Sequence, residues 1–246
     1  MGDIHIFRRV EKKYCLTMAR RDAFMADIEA YLRPDEYGKS TVCSLYLDTP
    51  DYILIRNSID AKGFDKPAYK EKLRIRSYGA AKPDGKVFME IKKKYKGVVY
   101  KRRLSTTLEK AQRYLETGEK PVQSQIMEEI DFAMRHYRWP GPAMMISCER
   151  EAYVVKDMPQ LRITFDTYLQ ARDWDLSLAY GAGGDLILPE DEVLMEIKTD
   201  GAMPLWLSHA LDKHKIYPSS FSKYGTAYLR KLSMERQEKE KEKQFI

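Results

Sequence analysis

Cysteine and histidine are scarce in this chain, and long apolar runs are missing. Each absence removes a class of function. The three cysteines, Cys15, Cys43 and Cys148, form no Cys-x-x-Cys pair and no Cys/His cluster at metal spacing. That argues against a zinc module, and the odd, scattered set reads as reduced thiols in a cytosolic compartment. His209 and His214 stand five apart, the wrong spacing for a shared helical metal site, and read as ordinary helix residues. No window approaches the roughly 18 apolar residues of a membrane span. The start, MGDIHIFRRVEKKY, has no apolar stretch long enough for a signal peptide. Met1-Gly2 lacks the Ser or Thr of a myristoylation signal, since position 6 is Ile. The expectation is a soluble, cytoplasmic protein. Glycine-rich phosphate loops are missing too. No Gly-Lys-Ser/Thr follows Gly181-Ala182-Gly183-Gly184, which reads as a flexible loop.

What the chain has in excess is charge. Its 246 residues are 43% hydrophobic, enough for the core of one large domain, but 33% are charged, above the usual quarter. The net charge of +6 is mild, so the placement of the charges decides more than their sum. Alternation predicts strands at 4–15, 42–48, 68–78, 86–95, 98–105, 143–155, 160–171 and 192–199. Lys82-Pro83-Asp84-Gly85 and Lys96-Gly97 should close two hairpins, so neighbours pair antiparallel. Helices are predicted at 17–32, at 50–61 behind Thr49, at 107–116 with a Thr106/Glu109 capping box, at 122–138, at 204–215, and from 223 behind Ser222. The run from Glu235 to Lys243 reads as a solvated helical extension, which divides the chain into a domain at 1–233 and a charged tail at 234–246.

In a strand, alternate residues share a face. Arg9, Glu11 and Lys13 fall on one face of the first strand; Ser44, Tyr46 and Asp48 share another. Lys70, Lys72, Arg74 and Arg76 form a row backed by Leu73 and Ile75. Glu90 pairs in parity with Lys92, Arg162 with Thr164 and Asp166, and Glu196 with Lys198. A half-exposed sheet with its polar side in water accounts for a few such strands. Here the same face is nearly all ionised on most strands, while the apolar sides need covering by helices. Charges inside and helices outside describe a barrel with a polar lumen. Lysines and arginines lining a lumen repel one another, and desolvating each costs several kcal/mol. Acids such as Glu11, Glu90 and Asp166 offset only part of that. The surplus asks for a polyanion. Nucleic acid is disfavoured because a duplex is too wide for a small barrel, whereas a linear phosphate chain is narrow and suits Arg forks and Lys charges.

The order of the motifs resembles the triphosphate tunnel superfamily and, within it, the VTC domain, a polyphosphate polymerase module. The likeness spans about residues 6 to 231. It is carried by FRRVEKKY at 7–14, SLYLDTPD at 44–51, YKEKLRIRSY at 69–78 and FMEIKKKYKGVVYKRR at 88–103. CEREAY at 148–153, LRITFDT at 161–167, LMEIKTD at 194–200 and SFSKYGTAY at 220–228 continue it. The resemblance implies an α+β fold, an eight-stranded antiparallel tunnel with helices packed outside. It implies Lys13, Arg74, Arg76, Lys92, Lys101, Arg150, Arg162 and Lys223 as basic tunnel positions. Lys101, Arg74, Arg76 and Lys92 would act on the transferring group, with Lys72 and Lys198 adding to the phosphate contacts. Glu196, joined by Glu11, would hold a divalent ion, Mn2+ or Mg2+.

The resemblance further implies transfer of the γ-phosphoryl group of ATP to polyphosphate, with pyrophosphate or triphosphate as shorter ligands. Hydrolytic members open with Glu-x-Glu-x-Lys; here the pattern is Arg9-x-Glu11-x-Lys13, which favours a transferase. A triphosphatase using water and a non-catalytic polyphosphate-binding module remain the alternatives. The reading is compatible with a separate membrane-protein partner that receives the product. Asp48 and Asp166 read as structural acids, and Arg150 and Arg162 have a structural reading through pairing with Glu149 or Asp166.

Overall fold

The structure, a computed structural model, describes residues 10–59, 69–96 and 98–244. Nine strands are described: β1 (Val10–Thr17), β2 (Leu32–Asp48), β3 (Tyr69–Tyr78), β4 (Lys86–Tyr95), β5 (Val98–Thr107), β6 (Gly141–Val155), β7 (Met158–Arg172), β8 (Asp185–Leu186) and β9 (Glu192–Thr199). Six α-helices join them: α1 (Met18–Ile28), α2 (Ile53–Ile59), α3 (Leu108–Thr117), α4 (Gln125–His136), α5 (Leu205–Lys213) and α6 (Lys223–Gln244).

Local chemistry explains most element boundaries. Thr17, Ser124 and Ser222 accept backbone N–H groups at the starts of α1, α4 and α6, satisfying donors that no helical carbonyl can reach. The helix expected at 17–32 ends at Ile28, followed by one 3-10 turn at Glu29–Tyr31. The capping box expected at Thr106 is displaced by one residue. Thr107, with extended φ −88° and ψ 159°, accepts from Lys110 N–H, while Thr106 still pairs with Val87 in the sheet. The ladder runs one residue further, pairing Thr107 with Lys86, so the helix starts at Leu108 and the cap falls on Thr107.

The strands form one antiparallel sheet in the order β1-β9-β7-β6-β2-β3-β4-β5, with β8 appended to β7. The hairpin turn expected between β3 and β4 is present: Gly85 N–H donates to the Lys82 carbonyl at 2.8 Å, and a Cβ at Gly85 would sit 2.8 Å from that oxygen. Gly97 and Arg9 lie outside the described residues. No ladder joins β1 to β5 among the described residues, so hydrogen bonds do not close the sheet there. The sheet nevertheless curls on itself. Lys92 of β4 reaches Glu11 of β1 at 3.6 Å, although these strands stand near opposite ends of the order.

The curl separates two outer cores from an inner face. Leu45, Leu73, Ile75, Met89 and Ile91 pack under α3 and α4; Tyr14, Leu161, Ile163, Phe165 and Met195 pack under α1 and α5. These helices lie outside, as the tunnel fold requires. α6 is placed differently. Its Tyr224, Ala227 and Tyr228 pack with Tyr46, Met144, Ile146 and Leu194, residues on the inner face of the strands. The buried carboxylate of Asp48 ties this end together, accepting the N–H groups of Thr49, Leu54 and Ile55 and the hydroxyl of Tyr224. Asp48 is thus a structural acid that starts α2 and anchors α6.

The loop at Gly181–Gly184 is packed rather than flexible. Arg172 donates to the carbonyls of Gly181 and Gly183 at 3.1 and 2.9 Å, and a Cβ at Gly184 would lie 2.3 Å from the Ala171 carbonyl. Its carbonyls are turned onto a cation, the opposite polarity to a phosphate cradle. No described helix is long and apolar enough to cross a membrane.

Candidate active site

The site is built by strand alternation. On β3, every second residue from Lys72 to Arg76 enters the lumen, and cross-strand register sets Arg74 opposite Glu90, Glu90 opposite Arg103, and Lys92 opposite Lys101. Glu90 is 2% exposed and gathers three cations: Arg74 Nε at 2.6 Å, Lys101 Nζ at 2.7 Å and Arg103 Nε at 2.7 Å. Burial opposes its charge, but Arg74, Lys101, Arg76 and Arg103 outweigh burial and hold Glu90 well below the usual carboxylate range. One carboxylate cannot neutralise so many cations. Burial, with Arg74, Arg76 and Arg103 adding repulsion, pushes Lys101 down to about 7 despite its contact with Glu90. Its side chain keeps 41% of its area open, so solvent in the lumen screens part of that repulsion.

Two cations on β3 have no carboxylate within 4.0 Å among the described residues. Arg76 donates from Nε to Ser44 Oγ at 3.0 Å, and Lys72 donates to Ser222 Oγ at 3.0 Å. Burial, then repulsion from Arg74, brings Arg76 down to about 10. Burial, with Lys13, Lys92 and Arg74 adding to it, brings Lys72 down to about 8. Tyr46 joins them, accepting from Arg74 at 3.1 Å. Burial would raise its phenol, but Arg74, Lys72 and Arg76 bring it down to about 8.

The other side of the lumen holds its acids. Glu196 is contacted by Lys198 at 2.5 Å, Lys13 at 3.5 Å and Lys223 at 3.6 Å. Glu11 lies 3.6 Å from Lys13 and 3.6 Å from Lys92. Burial opposes ionisation at Glu196, but Lys198, Lys223, Lys13 and Arg150 keep it well below the usual range. Asp166 accepts both arms of Arg150, at 2.6 and 2.7 Å, and also pairs with Lys223. Its role as an organiser of basic neighbours is therefore visible in its contacts.

Of the residues predicted from the sequence, Lys13, Lys72, Arg74, Arg76, Lys92, Lys101, Arg150, Lys198, Lys223, Glu11 and Glu196 converge on this inner face through the contacts above. Arg162 stands opposite Lys198 in the β7–β9 ladder, on the same face, but its ion pair is with Asp35 at a bulge in β2, a partner outside the expected Glu149 or Asp166, and its Nε is buried with no partner among the described residues. Arg103 and Tyr46 were missed as site residues. Arg103 shares parity with Lys101, so alternation alone could have found it; Tyr46 has no sequence signal beyond its face.

A hard divalent ion takes carboxylate oxygens and completes its shell with water and phosphate oxygens. Glu11 and Glu196 fit that chemistry, for both lie against the ammonium of Lys13 and both are kept ionised by surrounding lysines. No cluster of three metal-ligating side chains is present among the described residues, so phosphate would have to supply the remaining ligands.

Comparison with known proteins identifies the family. The VTC domain model matches residues 8–231, nearly the whole chain. The chain belongs to the VTC domain family. No curated protein matches it. Among solved structures, a putative adenylate cyclase from Bacillus halodurans aligns over 87% of this chain and 95% of its own, at 12% identity and a TM-score of 0.54. A putative adenylyl cyclase from Hippeastrum, described as having a dominant triphosphatase activity, aligns over 89% and 95% at 15% identity and a TM-score of 0.49. The first likeness is one of fold. This VTC domain is a triphosphate tunnel protein, with a cluster of basic residues on its inner wall.

Proposed function

We propose that this VTC domain is a metal-dependent polyphosphate polymerase that transfers the γ-phosphoryl group of ATP to a growing polyphosphate chain. The observation that carries the reading is the surplus positive charge on β3, where buried Arg76 and half-buried Lys72 lie beside Arg74 with no carboxylate within 4.0 Å of either among the described residues. Phosphate oxygens would supply the missing negative charge.

Lys101, Arg74 and Arg76 would hold the transferring group, while Lys13, Lys72, Lys198, Arg150 and Lys223 bind the rest of the chain. Lys92 lies opposite Lys101 and adds to the charge around that group. A terminal phosphate oxygen of the polymer forms a new bond to the γ-phosphorus. The bond from that phosphorus to the β,γ-bridging oxygen breaks, and ADP leaves with the electron pair. Such a reaction needs positioning and electrostatic stabilisation and no covalent protein intermediate. A divalent ion, Mn2+ or Mg2+, on Glu196 and Glu11 would supply further neutralisation of phosphate charge. Retention of product by the cation row favours processive growth.

The Glu11–Glu196 pair favours one second reading, a triphosphatase in which water replaces the polymer as acceptor. Purified protein given ATP and Mn2+ separates the two. Long-chain polyphosphate with ADP supports the polymerase; ATP consumption with only orthophosphate released overturns it.

A further inference from the structure

One stretch of the inner face carries aromatic rings beside the cations. Tyr78 ends β3 on the same face as Arg74 and Arg76, and Phe88 stands opposite Arg76 in the β3–β4 ladder. The Arg103 guanidinium lies over the Phe88 ring at 3.9 Å and donates to the Tyr78 hydroxyl at 3.4 Å, while its Nε holds Glu90 at 2.7 Å. Tyr78 meets Phe88 edge-on, with centroids 6.0 Å apart, and Tyr37 lies parallel to Tyr78 at 6.1 Å and 7°.

Tyr37 is delivered by the bulge in β2. The Asp35 carboxylate accepts the N–H groups of Tyr37 and Gly38, each at 2.9 Å, and the same side chain pairs with Arg162. The two tyrosines are not explained by core packing. Tyr37 is 60% exposed and Tyr78 43% exposed, and neither belongs to the outer cores or to the α6 cluster. Nor does α6 cover them. It packs at the Asp48 end of β2, whereas Tyr78 pairs with Val42 at the other end of that ladder.

We propose that Tyr37, Tyr78 and Phe88, with Arg103, stack the base of a nucleoside triphosphate whose phosphates run inward along Arg76, Arg74 and Lys101. The inference deepens the reading of the lumen as a triphosphate site and rests on it. The geometry carries it in two ways. First, Arg103 joins the rings to the phosphate cations directly, because it contacts Phe88, Tyr78 and Glu90 at once. Second, the spacing fits. Tyr78 and Arg74 are four strand residues apart, about 13 Å. That span is comparable with the distance from a nucleobase to its terminal phosphates. Ring faces and guanidinium planes stack any base, so ATP and GTP should bind alike.

The test compares a ligand that has a base with one that lacks it. Affinities of ATP and of inorganic tripolyphosphate are measured by calorimetry at fixed Mg2+ on the wild type, Tyr78→Leu and Tyr37→Ala. Both tyrosines are exposed enough for truncation to leave the fold intact, which circular dichroism verifies. Loss of a base stack predicts about tenfold weaker ATP binding for Tyr78→Leu and a smaller loss for Tyr37→Ala. Tripolyphosphate affinity stays within about twofold. Equal losses for both ligands, or no loss for either, overturn the assignment. Because the readout is binding, failure to make polymer would refute the polymerase reading alone; the ratio of ATP to tripolyphosphate affinity judges the base site separately.

Discussion

The two sides of the lumen differ in charge balance. On β3, β4 and β5, Lys72, Arg74, Arg76, Lys92, Lys101 and Arg103 accompany one inward acid, Glu90. On β1, β6, β7, β9 and the start of α6, Lys13, Arg150, Lys198 and Lys223 are matched by Glu11, Asp166 and Glu196. The matched side is held together by its own ion pairs. The unmatched side is assembled at an electrostatic cost that an anionic ligand would relieve. A fold selected only for stability would have distributed the acids more evenly.

The largest expected effect comes from unbalancing the matched side. Asp166→Asn leaves Arg150 and Lys223 buried without their carboxylate, and urea denaturation should show a loss of about 3–5 kcal/mol. Retained stability would mean that these cations are satisfied in some other way. Next come substitutions aimed at chemistry. Lys101→Ala and Glu196→Gln should each lower turnover of ATP by about 10²–10³-fold. A change only in the ATP concentration needed for half-maximal rate would assign them to binding.

A thermal-shift experiment sharpens the contrast further. Tripolyphosphate at 100 times its Kd should add about 2.7 kcal/mol of stability to the wild type. Arg76→Met should raise the ligand-free melting point and shrink that ligand-induced shift, because it removes a buried, unmatched cation. A lower ligand-free melting point would show that the Arg76–Ser44 contact outweighs the repulsion.

The smallest effect is a pH dependence. Lys72 and Lys101 are pushed down to about 8 and about 7, so they lose protons as pH rises through that window. Tripolyphosphate binding should therefore weaken from pH 6.5 to about 9. Ligand-free stability should move the other way. Between those values and the ordinary lysine pKa the unfolded chain binds more protons than the folded one, so stability rises with pH. Lys72→Arg, which stays charged throughout, should flatten the binding profile. An unchanged slope would remove Lys72 from the explanation.

Much of this was legible in advance. The alternation of Lys72, Arg74 and Arg76 with Leu73 and Ile75 foretold a charged inner face and an apolar outer one, and the structure puts them there. Turn residues at Lys82–Gly85 foretold the β3–β4 hairpin. The Thr106 cap failed because the β4–β5 ladder extends to Thr107 opposite Lys86, a strand length that a local motif does not reveal. The glycines at 181–184 looked flexible because the sequence does not show that Arg172 will occupy their carbonyls. The family resemblance makes Arg162 a tunnel position; its ion-pair partner, Asp35, comes from a bulge that alternation cannot foresee.

Residue types and their period along each strand determined which side chains are ionised and which face they share, since that depends only on local backbone geometry. Tertiary structure decided which charges meet. The approach of Lys92 to Glu11, the placement of Lys223 by α6 against Asp166 and Glu196, and the gathering of Arg103 with Tyr78 and Tyr37 all join residues distant in the chain. Such meetings depend on sheet curl, strand order and bulges, which arise from the packing of the whole molecule.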